Sequence, residues 1–281
     1  MKGRSREIKE VIGYKNLAEL KALISRICIV RGRTYNLKFD FHSCNLTQSE
    51  EDSYAYAAQG LYGEGYDLDN EKAFGARLHD LQRVADGSLN KDIDFIPAKI
   101  KILINLCKRI VQAGESCLVY TEYEDSYKFI QEYLEKYQRQ IGYRRLFMVT
   151  GKTSDKKRRE AETEMRGKDI VIITKAGTES INLQQANHLI YYNVPFAIGA
   201  IIQSIGRIAR MDSKYSAQWV HVIEASNTVD TYKRLLFQER KQLIEDLFGP
   251  DPNLPSMTDL DRDSIMKMKQ YMKNKFLWRR Y

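Results

Sequence analysis

Short runs of apolar, mostly β-branched residues recur in this chain from residue 117 onward, and segments with helical periodicity separate them. Runs of four or five such residues are typical of strands that are buried on both faces of a sheet. Strands that alternate with helices predict a parallel sheet with right-handed crossovers and helices on both faces. The runs are Cys117–Tyr120, Leu146–Val149, Ile170–Ile173, Leu189–Tyr192 and Trp219–Ile223. The sequence therefore predicts an α/β fold.

Further elements flank this alternating region. Near the start, Asn16–Ile24 has helical spacing and Leu37–Cys44 has the composition of a strand. Thr47 followed by Glu50 forms a capping-box pattern, which predicts that a helix begins there. The last segment combines an apolar stripe with basic residues and predicts a helix. We divide the chain into a helical extension at 1–95, an α/β domain at 96–249 and a basic C-terminal helix at 250–281.

Charge and composition restrict the class of protein. The net charge of +8 at pH 7 favours a polyanionic partner such as nucleic acid. The four cysteines lack the spacing of metal ligands and fit a reducing compartment. No apolar run approaches the roughly 18–20 residues of a membrane span, and no signal peptide is visible. These features predict a soluble, intracellular protein without a membrane partner.

One tempting phosphate-binding pattern is incomplete. Gly151-Lys152-Thr153 resembles the end of the pattern GxxxxGK[ST], but the position of its first glycine is occupied by Leu146. The segment that follows is highly polar, whereas an apolar helix is expected there. The glycine-rich cradle of backbone amides is therefore missing. We also find no acidic pair after an apolar strand that would hold Mg²⁺.

A helix is predicted from Ile198 to Arg210, directly after a strand and its loop. Gln203, Gly206, Arg207 and Arg210 are three or four residues apart, so they share one helix face. Arginine suits phosphate because its planar group donates two parallel hydrogen bonds and stays charged. This face is therefore predicted to meet an anion.

Three stretches resemble motifs of superfamily 2 helicases. QSIGRIAR at Gln203–Arg210 fits the QxxGRxxR pattern of motif VI. TKAGTESINL at Thr174–Leu183 is similar to motif V, and CLVYTEYEDSYKFI at Cys117–Ile130 is similar to motif IV. The three motifs occur in the right order at βαβ spacing, and the chain most resembles the second RecA-like lobe of the Swi/Snf-like branch, including phage and bacterial DNA helicases. The resemblance implies that residues 1–95 are a linker that follows a first lobe, lobe 1.

The resemblance also implies a function. The chain is expected to act as the second motor lobe of an ATP-dependent DNA helicase or translocase, in the cytoplasm of a bacterium or of a phage-infected host. ATP and Mg²⁺ are expected to bind mainly to lobe 1, and the chain is expected to be inactive without it. DNA is the expected nucleic acid, although RNA stays open.

Roles for single residues follow from the same resemblance. Arg210 is expected to be the arginine finger with Arg207 beside it, and Gln203 to position water or nucleotide. Gly206 allows close approach of the other lobe, and Gly177 and Asn182 are expected on the nucleotide side. The expected nucleic-acid contacts are Thr153, Arg158, Thr174, Thr178, Tyr120 and Thr121. Many relatives have glycine at the positions of Thr178 and Ser180, so the contacts of this loop are the least specified.

Several alternatives stay open. The chain could be a non-catalytic nucleic-acid-binding module, or a regulator that lends its arginines to a separately encoded lobe 1. The segment of Thr153 and Arg158 could equally be a capped, charged surface helix. Lys99 matches a lysine of the family but is as readily a surface residue. His188 and His221 are expected to be structural.

Overall fold

In the computed structural model, residues 18–19, 22, 36–59, 79–89, 95–178, 181–195, 198–209, 213–231 and 233–234 are described. Within these ranges six strands form one sheet in which every pairing is parallel. The strands are β1 (Leu37–Cys44), β2 (Cys117–Thr121), β3 (Leu146–Val149), β4 (Ile170–Thr174), β5 (His188–Tyr191) and β6 (Gln218–Ala225), in the spatial order β1-β6-β5-β2-β4-β3. The predicted α/β fold is confirmed, and all five predicted runs coincide with strands to within three residues at either end.

Helices lie between most of the strands, and one short helix, Gln138–Ile141, is not predicted by the sequence. They are α1 (Gln48–Gln59), α2 (Ala98–Gln112), α3 (Glu124–Lys136), α4 (Gln138–Ile141), α5 (Asp155–Glu164) and α6 (Ile198–Ile208), with a 3-10 turn at Lys175–Thr178. Residues 79–85 are also helical. The predicted C-terminal basic helix and nearly all of the predicted helix at 16–24 lie outside the described residues. No described helix has the length and apolar character needed to cross a membrane.

The two faces of the sheet carry separate cores. In β2, Leu118 and Tyr120 point into one core, which contains residues of α5 and α6. Cys117 and Val119 point into the other core, which contains residues of α2 and α3. This alternation follows from the two-residue period of a strand. Because each fully buried aliphatic side chain contributes about 1.5–3 kcal/mol, both faces must be covered.

β1 joins the sheet although it comes from the segment assigned to the extension. It pairs with β6 without a bulge, from Leu37 opposite Gln218 to Cys44 opposite Ala225. The capping box that starts α1 is present, since the Thr47 amide donates to Glu50 Oε2 at 2.9 Å. Glu50 also accepts from the amide of Ala98 at 3.1 Å, so it ties α1 to the start of α2.

A buried ion cluster lies beneath the start of α2. The Lys99 ammonium lies 2.9 Å from Asp86 Oδ1 and 2.7 Å from Asp230 Oδ2, and its side chain is fully buried. Ser126 and Asn193 also donate to Asp86, at 2.6 and 2.8 Å. Burial lowers the pKa of Lys99, but the carboxylates of Asp230 and Asp86 outweigh burial and raise it above its ordinary value. Lys99 is therefore part of the interior and not a surface residue.

Candidate functional site at the carboxyl ends of the strands

The loops that carry the predicted site residues follow the carboxyl ends of neighbouring strands. β2 ends at Thr121, β4 ends at Thr174, and the turn at residues 150–153 follows β3. β4 lies between β2 and β3 in the sheet. Ligands of open parallel sheets bind beyond the carboxyl ends of the strands, so this edge is the candidate site.

Helix α6 is fixed to the sheet by its inner face. Ile201, Ile205 and Ile208 are buried in the core that also contains β5. Ser204 is buried as well, and its hydroxyl lies 2.6 Å from the hydroxyl of Tyr191. Packing and this hydrogen bond therefore set the rotation of α6 about its axis.

The outer face of α6 carries the residues predicted to meet an anion. Gln203 is exposed, and Gly206 and Arg207 are half-buried. A Cβ added to Gly206 would meet no atom of the described residues within 4 Å, so packing among those residues does not require glycine there. The structure brings these three residues to one face. Arg210 lies outside the described residues.

Gly177 makes a close approach that no other residue type could make. A Cβ at this position would lie 2.1 Å from the carbonyl oxygen of Val149, at the end of β3. The 3-10 turn is therefore packed directly on the turn that follows β3. On the other side, the amide of Leu183 donates to the carbonyl of Arg207 at 3.3 Å, which joins this loop to the end of α6.

Arg158 connects the two loops. Its guanidinium donates to the carbonyls of Thr150 at 2.7 Å, Thr153 at 3.1 Å and Gly177 at 3.5 Å. The predicted role of Arg158 was phosphate contact, but in this geometry the side chain positions the turn after β3 against the 3-10 turn. The Thr153 hydroxyl is also used within the turn, since it accepts from the Thr150 amide at 2.8 Å and lies 3.2 Å from the carbonyl of Met148.

The start of α5 borders an open cleft with basic side chains. Ser154 precedes the helix and makes no side-chain capping bond, which leaves amide donors of the first turn without that partner. Four consecutive basic residues, 156–159, lie in the first half of the helix. The cleft is lined by Gly151, Thr153, Asp155, Arg158, Arg159, Glu162 and Ala176. Helix amides and arginines together suit a phosphate group.

Two residues of the motif V loop are turned inward. Thr178 is buried, and its hydroxyl donates to the carbonyl of Lys175 at 2.6 Å. Thr174 is buried as the last residue of β4. In this conformation the Thr178 hydroxyl closes the 3-10 turn, and Thr174 ends a central strand.

Tyr120 and Thr121, which are predicted to contact nucleic acid, have buried side chains in this structure. Tyr120 is fully buried, and its ring packs edge-on against Tyr191 at a centroid distance of 5.4 Å. Thr121 is fully buried, and its hydroxyl accepts from Asn193 at 3.2 Å. The two-residue period of a central strand directs Tyr120 into the core, which a motif match by itself does not reveal.

Asn182 and Asn193 are the polar residues of the neighbouring loops. Asn182 is half-buried, its amide donates to Glu162 Oε1 at 2.6 Å, and its side-chain oxygen has no hydrogen-bond partner among the described residues. Asn193, which sequence analysis did not single out, accepts from the Glu122 amide at 2.8 Å and joins the ends of β2 and β5. Its position between a buried strand and Pro195 is the only sequence signal for it.

Comparison with known proteins identifies the domain. A family model described as the helicase conserved C-terminal domain matches residues 98–212. This range begins at α2 and includes the outer face of α6. The match therefore covers the loops and helices that form the candidate site.

Relatives in sequence are larger proteins. An uncharacterized ATP-dependent helicase, YqhH of Bacillus subtilis, is 30% identical over 148 residues, which are 52% of this chain and 25% of that protein. The human transcriptional regulator ATRX is 30% identical over 135 residues, 40% of this chain and 5% of that protein. The chain thus spans a quarter or less of the curated relatives that it matches.

Solved structures share the fold. The SWI2/SNF2 ATPase core of Sulfolobus solfataricus in complex with dsDNA superposes with a TM-score of 0.62 at 19% identity, over 89% of this chain and 55% of that chain. The C-terminal part of the Fun30 ATPase domain gives 0.57 at 13% identity, over 86% of this chain and all of that chain. The sheet is therefore RecA-like, and residues 98–212 match the helicase conserved C-terminal domain.

Proposed function

We propose that this chain supplies the second motor lobe of an ATP-dependent DNA helicase or translocase. The observation that carries the proposal is the fixed position of α6. Its inner face is bound to β5 through Ser204 and Tyr191, and its outer face presents Gln203, Gly206 and Arg207. The carbonyl of Arg207 accepts from the amide of Leu183, in the loop that follows the 3-10 turn. Plain nucleic-acid binding does not need such a face.

The arginines of motif VI would act on ATP that is held mainly by lobe 1 with Mg²⁺. Hydrolysis develops charge on the oxygens of the transferred phosphoryl group, and a well-placed arginine contributes about 10³–10⁵ in rate. We assign this role to Arg210, with Arg207 beside it and Gln203 positioning water or nucleotide. Gly206 would let lobe 1 approach the helix closely.

The Gly151-Lys152-Thr153 segment of this chain supports the assignment of ATP binding mainly to lobe 1. It forms a turn before α5 and not a phosphate cradle. The Lys152 ammonium lies 2.8 Å from Glu124 Oε1, and both side chains are exposed. A lysine in this arrangement is paired with a carboxylate and not directed into a nest of amides.

The cleft at the start of α5 is the proposed contact with the DNA backbone. Basic side chains near a helix N-terminus oppose the helix dipole, at a cost of about 0.3–1 kcal/mol each. A bound phosphate would offset that cost and accept hydrogen bonds from the first-turn amides. Arg159, together with Lys156 and Lys157, is exposed and suits this role better than Arg158.

The same geometry suggests how the two sites are coupled. Arg158 bonds the turn beside the DNA cleft to the carbonyl of Gly177, and Leu183 bonds the next part of that loop to the end of α6. A movement of α6 towards lobe 1 would therefore be transmitted to the cleft. Opening and closing of two lobes in this way would step the protein along a strand.

DNA-stimulated ATP hydrolysis tests the finger. We expect this chain alone to be inert and the full motor, joined to its own lobe 1, to be active. Arg210→Ala and Arg207→Ala should each lower turnover of the full motor by at least about a hundredfold. Arg139→Ala is the matched control, because Arg139 is exposed on α4, which packs in the core on the opposite face of the sheet.

Each other outcome has a defined meaning. Turnover by this chain alone would contradict the assignment of the triphosphate site to lobe 1. Unchanged turnover of both arginine variants would refute the finger and favour a non-catalytic binding module. Activity restored by adding this chain to a separately purified lobe 1 would favour the regulator that acts in trans.

The salt dependence of DNA binding tests the cleft. Arg159→Ala combined with Lys156→Ala should weaken binding at all sequences and reduce the slope of log K against log salt by about 0.7–0.9 per lost phosphate contact. Lys101→Ala, an exposed change on α2, is the control. An unchanged slope in the double variant would show that the cleft does not contact the DNA backbone.

A further inference from the structure

Three potential metal ligands converge on the β1–β6 edge of the sheet. Asp40 and His42 are two residues apart in β1, so their side chains leave the strand on the same face. Asp40 pairs with His221 of β6 across the parallel ladder. His221 is on the same side of β6 as Ile223, which belongs to the core with α2 and α3. The cluster is therefore on the face opposite α5 and α6.

The ligand atoms have the spacing of a tetrahedral site. His42 Nε2 lies 3.1 Å from Asp40 Oδ2 and 3.2 Å from His221 Nδ1. His221 Nδ1 lies 3.6 Å from the same carboxylate oxygen. Ligands about 2.0–2.2 Å from a tetrahedral Zn²⁺ are about 3.3–3.6 Å apart. We propose that Asp40, His42 and His221 bind a divalent transition metal ion of the zinc type, with a fourth position open to water.

A chain of hydrogen bonds orients one of these ligands. His188 Nδ1 lies 2.9 Å from His221 Nε2, and His188 Nε2 lies 2.7 Å from Glu115 Oε2. Glu115 is a carboxylate, so His188 donates from Nε2 and accepts at Nδ1. His221 must then donate from Nε2, which leaves the lone pair of Nδ1 directed at Asp40 and His42. Metal-binding histidines are typically oriented by such an outer carboxylate.

The side chains of the cluster carry too few protons to make a hydrogen bond at each of their close contacts. With His221 Nδ1 and Asp40 Oδ2 both acting as acceptors, the Nε2 proton of a neutral His42 is the only one between them. A metal ion between the three ligand atoms would take the place of the missing protons, since metal ligands bind through their deprotonated atoms.

The site is accessible from one side. The side chain of His221 is 5% exposed, that of His42 is 16% exposed and that of Asp40 is 43% exposed. An ion can therefore enter past the carboxylate while two imidazoles hold it against the sheet. Trp219 stacks almost parallel to His221 at a centroid distance of 6.1 Å and limits the movement of that ring.

A titration of the untagged protein with Co²⁺ tests the site, because tetrahedral Co²⁺ has a visible spectrum and Zn²⁺ displaces it. We expect binding of one equivalent with nitrogen and oxygen ligands. Asp40→Asn and His42→Ala should each weaken binding by at least about tenfold, and Glu115→Gln should weaken it by about 10–100-fold. His79→Ala is the matched control, since His79 is in the helical segment 79–85 and packs against Tyr123.

Removal of the nearby positive charge of Arg109 should change the affinity for Co²⁺ in the direction opposite to the other variants. The positive charge of Arg109 acts on both His42 and His221, and it should oppose a cation bound there. Arg109→Gln should therefore tighten Co²⁺ binding. This variant also shows whether a loss in the other variants reflects the ligands or a damaged fold.

Four results would overturn the proposal. They are no binding at one equivalent, equal affinity in the wild type and in His42→Ala, loss of binding in His79→Ala, and a sulfur-to-cobalt charge-transfer band, which would assign the ion to a cysteine. Circular dichroism of Asp40→Asn checks that the sheet edge is intact. A rise in melting temperature with Zn²⁺ in the wild type, absent in Asp40→Asn, is the expected independent sign of binding.

Discussion

Lys99 and Arg158 are both basic side chains that join separate parts of the chain, but their surroundings differ. Lys99 is fully buried between the carboxylates of Asp86 and Asp230. Arg158 is half-buried at the edge of a cleft and donates to backbone carbonyls of two loops. Lys99, enclosed with its counterions, stabilises the fold. Arg158 holds loops that are open to ligands, so the loss of Arg158 should affect function more than stability.

Replacement of Lys99 should have the largest effect on stability. Lys99→Met leaves two carboxylates buried without their cation, and breaking a buried pair costs about 3–5 kcal/mol. Arg158→Met should cost only about 1–2 kcal/mol, because its carbonyl partners are closer to water. Urea unfolding at pH 7 measures both values.

The triple variant Lys99→Met, Asp86→Asn, Asp230→Asn is the control for this comparison, and it should regain part of the loss because no buried charge is left alone. If Lys99→Met lowers the free energy of unfolding by no more than Arg158→Met, the buried cluster is no more important for stability than the carboxyl edge.

Alkaline pH should weaken the buried cluster. The carboxylates of Asp230 and Asp86 raise the pKa of Lys99 against the effect of burial, and burial with the same carboxylates raises the pKa of Tyr192. Both groups therefore keep their protons in the folded state above pH 10, where the unfolded chain loses them. The stability they contribute is complete below about pH 10 and falls above it by about 1.4 kcal/mol per group and pH unit.

Urea midpoints at pH 9 and pH 11 measure this loss. Tyr192→Phe should flatten the decline, because it removes one of the groups whose pKa is raised in the folded state. A decline of the same size in that variant would exclude Tyr192 as a cause.

Gly177→Ala should damage the contact between the two loops at the edge. The added Cβ would lie 2.1 Å from the carbonyl oxygen of Val149, so the 3-10 turn must shift. Overpacking of this kind costs about 1–3 kcal/mol. Thermal unfolding measures the loss. Gly142 is not a suitable control position, because its positive φ of 80° would strain any other residue for a different reason. A neutral Gly177→Ala would show that the turn adapts freely.

Gly206→Ala should have the smallest effect on stability, and of the opposite sign. A Cβ there meets no described residue within 4 Å, and alanine favours a helix over glycine by about 0.5–1 kcal/mol. The isolated domain should therefore become slightly more stable. In the full motor the same change should lower ATP turnover, since the outer face of α6 must approach lobe 1. Unchanged turnover would mean that this approach is not close.

Local sequence signals predicted most of the fold. Every predicted strand from Cys117 onward is present, because a buried parallel strand needs a continuous apolar run that is easily recognised. The capping box at Thr47 and Glu50 is also present, since its partners are only three residues apart. The spacing of Gln203, Gly206 and Arg207 predicted their common face, and α6 presents it.

Signals that depend on distant partners were missed or misplaced. Motif matching assigned Tyr120 to nucleic acid, whereas its neighbour across the core is Tyr191, 71 positions later. The buried state of Lys99 depends on Asp86 and Asp230, which are 13 and 131 positions away from it. Asp40, His42 and His221 come together only because β1 pairs with β6. Neither strand contains all three residues.

The sequence by itself determined the α/β class, the order of strands and helices and the arginine-bearing face of α6, because each follows from a period of two or of about 3.6 residues within one segment. The tertiary structure decided which polar groups are enclosed and which are presented. It buried Lys99, Thr178 and Tyr120, made Arg158 a connector of loops, and placed the Asp40–His42–His221 cluster on the opposite face. The physical reason is that burial and hydrogen bonding depend on partners far apart in the chain, which only the packed sheet brings together.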